Sequence, residues 1–223
     1  MQLLPDRHIV CHYPLNGTLA DCSMYGAAPL VATGSIFGEA PNSRGLSAYF
    51  DGVDDHLRLA TEPARLPIGD SSRTMCIWIL SQRLPSTTAA GFCGYGTNSA
   101  HQMMSVYENT QTAGRDIGWY EGGGVQGSTT VPYVATLNEW HHFAMTHAVG
   151  GNGFNCYHDG RFVLNTATGG QNTTLGGGLD IGAGAGGTAS FLKGFARDFI
   201  VLDIACNRSQ LAQLMLGTNP LIL

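Results

Sequence analysis

Short runs with a two-residue hydrophobic period recur along this chain, and glycine-rich segments separate them. Such runs lie at Ile9–Leu15 and Leu46–Phe50, and the period resumes at Leu57 and Leu59. A period of two places alternate side chains on one face of a β-strand. The 31 glycines include segments such as EGGGVQG and GAGAGGTAS, which we interpret as loops. Many short strands with frequent turns predict an all-β chain, folded as an antiparallel β-sandwich.

Two segments refine this prediction. The stretch TMCIWIL, Thr74–Leu80, is apolar almost throughout, which is typical of a central strand covered on both faces. Asp159 and Gly160 stand between the strand-like runs FNCYH and RFVL. An Asp-Gly pair favours a type I′ turn, because both central residues need a positive φ. We therefore expect a β-hairpin at Asp159–Gly160.

The C-terminal segment NRSQLAQLMLG has the pattern of one short α-helix. Asn207 or Ser209 can cap its start, Leu211, Leu214 and Met215 recur at helical spacing, and glycine follows at position 217. No linker or charge block divides the sequence. We therefore predict a single domain over residues 1–223.

Composition excludes several classes of partner. The formal net charge is −5, and only 12% of residues are charged. Such a chain lacks the basic surface that binds a phosphate backbone, so we expect no nucleic-acid partner. No stretch approaches the roughly 18 apolar residues of a membrane helix, so we expect no membrane insertion.

The N-terminus and the cysteines indicate where the protein folds. MQLLPDRHIVCHYPL does not have the pattern of a classical signal peptide. The six cysteines form no C-x-x-C pair, and several have apolar neighbours. We interpret them as reduced, buried thiols rather than as a disulfide framework. Folding in a reducing cytoplasm would follow.

Five segments resemble laminin G-like domains, the concanavalin A-like jelly rolls. AYFDGVDDHLRL resembles the family's A-x-F-D-G-x-D-D-Y signature, and NEWHHFAMTHAVGGNGFNCYHDGRFV resembles its W-H-H to D-G hairpin. CHYPLNGTLADCSMYG, RTMCIWIL and LDIGAGAGGTASFLKGFARDFIVLDIACNRSQLAQLM are similar to its opening, central and closing segments. The resemblance implies two antiparallel sheets in jelly-roll order. The middle segment CGYGTNSAHQMMSVYENTQTAGRDIGWYEGGG matches no part of the family pattern. The resemblance therefore does not predict which ligand this protein binds.

The acid-rich loop DGVDD has two interpretations. Asp51, Asp54 and Asp55 offer carboxylate oxygens of the kind that Ca²⁺ prefers, and some jelly rolls of this family bind Ca²⁺ near the sheet rim. Asp and Gly are also the residues that turn a chain sharply, and the spacing is not that of a dedicated calcium loop. We favour a structural corner, with Ca²⁺ as the only cofactor to consider.

Aromatic residues in and near the middle segment are candidates for ligand binding. They are Tyr95, Tyr107, Trp119, Tyr120 and Tyr133. Flat rings suit sugar faces and protein partners alike. A sandwich core of this size needs aromatic volume as well, so the core interpretation stays open beside the binding one.

Other motifs favour structural roles. The literal G-x-G-x-x-G at Gly182–Gly187 precedes a strand-like segment, whereas a phosphate loop precedes a helix. His141 and His142 are neighbours on a strand, so they point to opposite faces and cannot share a metal site from that strand. The acid pair of a glycosidase and a G-x-S-x-G elbow are both missing from the sequence. We therefore expect no catalytic residues.

These observations favour a non-catalytic binding or structural module. The first hypothesis is a bacteriophage virion surface protein, either a head decoration or a tail adhesin, assembled in the host cytoplasm. It would form homo-oligomers and contact other virion proteins. The alternative is an extracellular carbohydrate-binding lectin that recognises cell-surface glycans with or without Ca²⁺. A glycoside-active enzyme ranks third.

Overall fold

The fold consists of two antiparallel sheets and one α-helix. The computed structural model describes residues 6–82, 89–109, 116–123, 126–128, 136–167, 169–184 and 186–221. Every strand pair among them is antiparallel. The predicted all-β sandwich is thereby confirmed.

The strands are numbered in chain order. The eight-stranded sheet contains β1 (Ile9–Tyr13), β3 (Ile36–Glu39), β4 (Leu46–Asp51), β6 (Arg73–Ser81), β11 (Trp140–His147), β12 (Asn155–His158), β13 (Arg161–Asn165) and β15 (Lys193–Leu202). Its order is β13, β12, β11, β6, β15, β4, β3, and β1 pairs with β15.

The second sheet has seven strands. It contains β2 (Val31–Thr33), β5 (His56–Leu59), β7 (Ala89–Gly96), β8 (Met103–Asn109), β9 (Asp116–Tyr120), β10 (Gln126–Ser128) and β14 (Leu179–Ile181). Its order is β10, β9, β8, β7, β14, β5, β2. The middle segment that matches no family pattern therefore builds half of β7 and all of β8 and β9 in this sheet.

Strand β6 is apolar on both faces because each face packs against an apolar cluster. Met75, Ile77 and Ile79 point into the main core between the sheets. Cys76 and Trp78 point to the opposite face and belong to two smaller apolar clusters. All nine residues of β6 are buried, and β11 and β15 flank the strand. The predicted central strand is confirmed.

The helix α1 (Arg208–Gly217) covers part of that outer face. Leu211 and Leu214 pack in the cluster that contains Cys76. The Asn207 side chain accepts a hydrogen bond from the Gln210 N–H, and the Gln210 side chain accepts one from the Asn207 N–H. This reciprocal pair is a capping box, which satisfies two backbone donors at the helix start. Of the two predicted caps, Asn207 is the one used.

The hairpin between β12 and β13 turns at the predicted residues. Asp159 and Gly160 have φ angles of 48° and 71°, so both occupy the left-handed region that a type I′ turn needs.

All six cysteines are free, and five of them are buried, whereas Cys22 is exposed. Residues 182–184 and 186–192 form a loop that leads into β15, so the glycines at 182–187 do not precede a helix. Within the described parts of the chain, no helix is both long and apolar enough to cross a membrane.

Candidate functional site

The acid-rich loop joins β4 to β5 and is held by its own hydrogen bonds. The Asp51 N–H donates to Asp55 Oδ2 at 2.9 Å, and the Val53 N–H donates to Asp51 Oδ1 at 2.7 Å. The Asp54 carbonyl lies 2.9 Å from Nδ1 of His56. Side-chain oxygens that bond to nearby backbone groups are the usual contacts of a tight corner. These contacts support the structural interpretation of the loop.

The same loop also presents a set of oxygen donors. One carboxylate oxygen from each of Asp51, Asp54 and Asp55 lies within 4.8 Å of the others. Asp55 is only 6% exposed, and burial raises the pKa of its carboxyl group. Asp54 is exposed. The three oxygens are of the type that Ca²⁺ takes, so calcium binding at this loop stays a prediction.

A second loop brings an aromatic ring to the same edge of the sandwich. The rings of His56 and Phe191 lie 6.2 Å apart between centroids, at an interplanar angle of 34°, and both residues are half-buried. An ideal Cβ on Gly187 would lie 2.9 Å from the His56 ring, so a larger residue at this position would require the ring to shift. We call the group Asp51, Asp54, Asp55, His56 and Phe191 the rim.

An ion pair supports the rim from the neighbouring strands. Arg58 on β5 donates to the Asp180 carboxylate on β14, and the Gly186 N–H donates to the same carboxylate at 2.9 Å. Asp180 is 1% exposed. Burial raises the pKa of its carboxyl group, and the hydrogen bond from Arg58 opposes that shift. This buried anchor fixes the second loop against the outer face of the seven-stranded sheet.

The predicted aromatic residues have different positions. Tyr95 and Trp119 are both 0% exposed and lie in the main core. Tyr107 is 9% exposed, and an ideal Cβ on Gly118 would lie 2.0 Å from its Cζ atom, so the ring covers the Gly118 backbone. The burial of these three side chains favours the core interpretation. The side chain of Tyr120 and all of Tyr133 lie outside the described residues.

The three buried glutamates are bound to distant parts of the chain. Glu62 accepts from the Gly178 N–H (2.7 Å), Glu108 from the Ser81 hydroxyl (2.9 Å) and Glu121 from the Gln171 amide (2.6 Å). All three are at most 8% exposed. A buried carboxylate needs such partners, because leaving it unpaired is costly. These contacts are those of structural anchors: Glu108 joins the two sheets, and Glu62 and Glu121 each join one loop to another.

The structure also contains a histidine cluster that the sequence did not predict. The β12–β13 turn folds the Asp159 carboxylate back onto β11. There Oδ1 accepts a hydrogen bond from the His142 N–H at 2.8 Å, and Oδ2 lies 2.8 Å from His141 Nδ1. Nε2 of His158 lies 3.4 Å from the same Oδ2. The prediction that His141 and His142 point apart agrees with the structure: His141 joins this cluster, and His142 packs against Trp78 on the other face. The sequence signal for this cluster was the recurrence of histidine in two motifs, W-H-H at Trp140–His142 and H-D-G at His158–Gly160, on neighbouring strand-like segments.

Burial sets the charge state of two of these histidines. His142 and His158 are each 1% exposed, and burial lowers the pKa of each to about 4. Hydrogen bonds from His141 and the His142 N–H help to lower the pKa of Asp159, although burial of that carboxyl group acts in the opposite direction. At neutral pH the cluster therefore holds neutral His158 beside ionised Asp159.

Two facing antiparallel sheets with a short C-terminal helix define a concanavalin A-like β-sandwich. A family model described as the concanavalin A-like lectin/glucanases superfamily matches residues 50–212, so the chain belongs to this superfamily. A search of curated protein sequences found no match.

Solved structures share the fold at low sequence identity. Domain 4 of an extracellular arabinanase from Geobacillus stearothermophilus, solved in complex with arabinotriose, is similar with a TM-score of 0.70 and 16% identity over 93% of this chain and 98% of that chain. The botulinum neurotoxin serotype G binding domain has a TM-score of 0.69 and 13% identity over 94% of this chain and 51% of that chain. A heptameric pentraxin from Limulus polyphemus has a TM-score of 0.56 and 18% identity, covering 74% and 78% of the two chains. The chain spans nearly the whole arabinanase domain but about half of the toxin domain.

Proposed function

We propose that this protein is a non-catalytic carbohydrate-binding module whose ligand contacts the rim. The observation that carries the proposal is the half-buried ring pair of His56 and Phe191, next to the exposed residue Asp54, whose backbone carbonyl lies 2.9 Å from His56 Nδ1. An aromatic ring packs against the apolar face of a sugar, and a carboxylate accepts hydrogen bonds from sugar hydroxyls. Sites of this kind combine aromatic surface with a few convergent polar groups.

The comparisons support the carbohydrate class. The arabinanase domain that holds arabinotriose shares this fold over nearly its whole length. Loops carry binding specificity on a rigid β scaffold, so the sugar bound by that domain does not identify the sugar bound here. The structural contacts of Glu62, Glu108 and Glu121 favour the non-catalytic version, because a glycosidase needs two carboxylates that reach the scissile bond.

A glycan array followed by calorimetry tests the proposal. The array, which includes arabino-oligosaccharides, is read in Ca²⁺ and again in EDTA to separate calcium-dependent from calcium-independent binding. Phe191→Ala and Asp54→Asn should each weaken binding of the best glycan about tenfold, which corresponds to roughly 1.4 kcal/mol. The matched control is Phe162→Ala, because Phe162 is an aromatic residue 54% exposed on β13, away from the rim. Equal binding by all three variants and the parent would refute the rim as the site.

A second candidate is a homo-oligomeric virion surface component. The observation that favours it is exposed apolar surface at one side of both sheets. Val31 on edge strand β2 is 66% exposed, and Ile36 on edge strand β3 is 63% exposed. Exposed apolar side chains on an edge strand favour association with another chain. Light scattering after size-exclusion chromatography tests this candidate: Ile36→Lys should dissociate an oligomer, and a monomeric parent protein would contradict it.

A further inference from the structure

The cluster formed by His141, His158 and Asp159 has the composition of a transition-metal site. One donor atom from each residue lies within 4.8 Å of the others. Imidazole nitrogen and carboxylate oxygen are typical zinc ligands, and three protein ligands with an open position are common in zinc sites. His141 and His158 lie on neighbouring strands, and Asp159 follows His158 in the turn. The paired strands β11 and β12, together with the turn that follows β12, therefore hold all three donors.

The donor distances are close to those of a bound ion. Bonds of about 2.0–2.1 Å to zinc, at tetrahedral angles, separate neighbouring ligand atoms by about 3.3 Å. The distance from Asp159 Oδ2 to His158 Nε2 is 3.4 Å, and that from Oδ2 to His141 Nδ1 is 2.8 Å. A small rotation of the Asp159 carboxylate opens the shorter distance. Asp159 is the most exposed of the three side chains at 36%, so an ion and a water molecule can reach the cluster from that side.

Hydrogen bonding on the far side of His141 orients its ring. The Thr136 hydroxyl donates its one proton to the Glu139 carboxylate, which only accepts. Because that proton is used, Thr136 Oγ1, 3.1 Å from His141 Nε2, accepts the Nε2–H. Metal-binding histidines usually donate their second N–H in this way, which fixes the tautomer and the ring orientation.

Nδ1 of His141 faces Asp159 Oδ2 at 2.8 Å, and Nε2 of His158 lies 3.4 Å from the same oxygen. A metal ion bound by these three donors would displace the proton of the His141–Asp159 hydrogen bond, because metal ligands bind in their deprotonated form. We propose that His141, His158 and Asp159 bind one divalent transition-metal ion of the zinc class, with Thr136 and Glu139 orienting His141.

This site is separate from the rim. Strand β11, which carries His141, and strand β4, which ends at Asp51, are separated by β6 and β15 in the sheet order. Three strand spacings amount to about 14 Å, too far for one ion to contact both. The metal proposal therefore stands whether or not the rim binds carbohydrate.

Zinc calorimetry on the full chain tests the proposal, and the visible absorption of bound Co²⁺ serves as a second readout. The parent protein should bind one Zn²⁺ per chain, and the Co²⁺ complex should show the ligand-field bands of four-coordinate geometry. Asp159→Asn keeps a turn sequence compatible with type I′ geometry and should weaken zinc binding at least about tenfold. His158→Phe, which keeps a ring stacked on Phe143, should do the same.

Two further variants separate ligation from general effects on folding. Thr136→Val should weaken binding by roughly tenfold through loss of the contact that orients His141, without change in stoichiometry. The matched control is His142→Phe, because His142 offers Asp159 only its backbone N–H. This variant should bind zinc like the parent protein. Absence of stoichiometric zinc binding by the folded parent would overturn the proposal, as would unchanged binding by Asp159→Asn and His158→Phe.

Discussion

Replacing His142 with phenylalanine should make the protein more resistant to acid. The His142 side chain is buried on the outer face of the eight-stranded sheet, where its ring meets that of Trp78 edge-on with centroids 5.2 Å apart. Neither ring nitrogen has a hydrogen-bond partner among the described residues. Protonation at this position would place an uncompensated charge in an apolar cluster, and burial accordingly lowers the pKa of His142 to about 4.

The sign and size of the effect follow from proton linkage. In the unfolded chain the pKa of a histidine is about 6.5. Between about pH 6.5 and pH 4 the unfolded chain binds a proton at His142 that the folded chain does not, so the free energy of unfolding falls as the pH falls through this interval. The loss is about 1.4 kcal/mol per pH unit, or roughly 2–3 kcal/mol by about pH 4.5. His142→Phe removes this loss and keeps a ring of similar volume.

Urea denaturation at about pH 7 and about pH 4.5 measures the difference. The two proteins should differ by less than about 1 kcal/mol at neutral pH, because the substitution removes two unsatisfied nitrogens and nearly preserves packing. At the lower pH the variant should be roughly 2–3 kcal/mol more stable than the parent. His158 contributes to acid sensitivity in both proteins, so the comparison isolates His142. A parallel loss of stability in parent and variant would show that the His142 ring does not stay neutral.

Three other substitutions test the fold and the rim by thermal unfolding. Gly118→Ala should destabilise the protein by roughly 1–3 kcal/mol, because the new Cβ would lie 2.0 Å from Tyr107 Cζ; an unchanged melting temperature would contradict this contact. Asn207→Ala removes the helix cap and should cost about 1 kcal/mol, with Asn207→Ser as the control that restores a capping oxygen. Asp55→Ala should cost roughly 1–3 kcal/mol through loss of the hydrogen bond from the Asp51 N–H, equally in Ca²⁺ and in EDTA if the loop is only a corner. A parent protein that melts higher in Ca²⁺ alone would identify the loop as a calcium site.

Local rules predicted much of the fold. The two-residue period located β1, β4 and β5, and the continuous apolar run located β6. Each of these patterns shows whether one or both faces of a strand are buried, because buried faces carry apolar side chains. The Asp159–Gly160 turn and the Asn207 cap were predictable because they depend on φ preferences and on hydrogen bonds within a few residues.

The candidate sites were less predictable. Trp119 and Phe191 are both aromatic residues near glycine-rich segments, yet Trp119 is in the core and Phe191 lies at the rim. Local sequence does not specify which face of a strand a second sheet will cover. The rim also depends on contact between two loops, since His56 and Phe191 are 135 positions apart in the chain.

The sequence by itself determined several of the strands, the hairpin turn, the helix cap and the resemblance to the concanavalin A-like sandwich. Its composition also predicts that the protein has no basic surface for nucleic acid. Only the tertiary structure placed His141 against His158 and Asp159 and joined the two loops of the rim. The physical reason is that periodicity and turn preference act over a few residues, whereas a binding site needs side chains that converge in space. That convergence is set by strand register and by the packing of one sheet on the other.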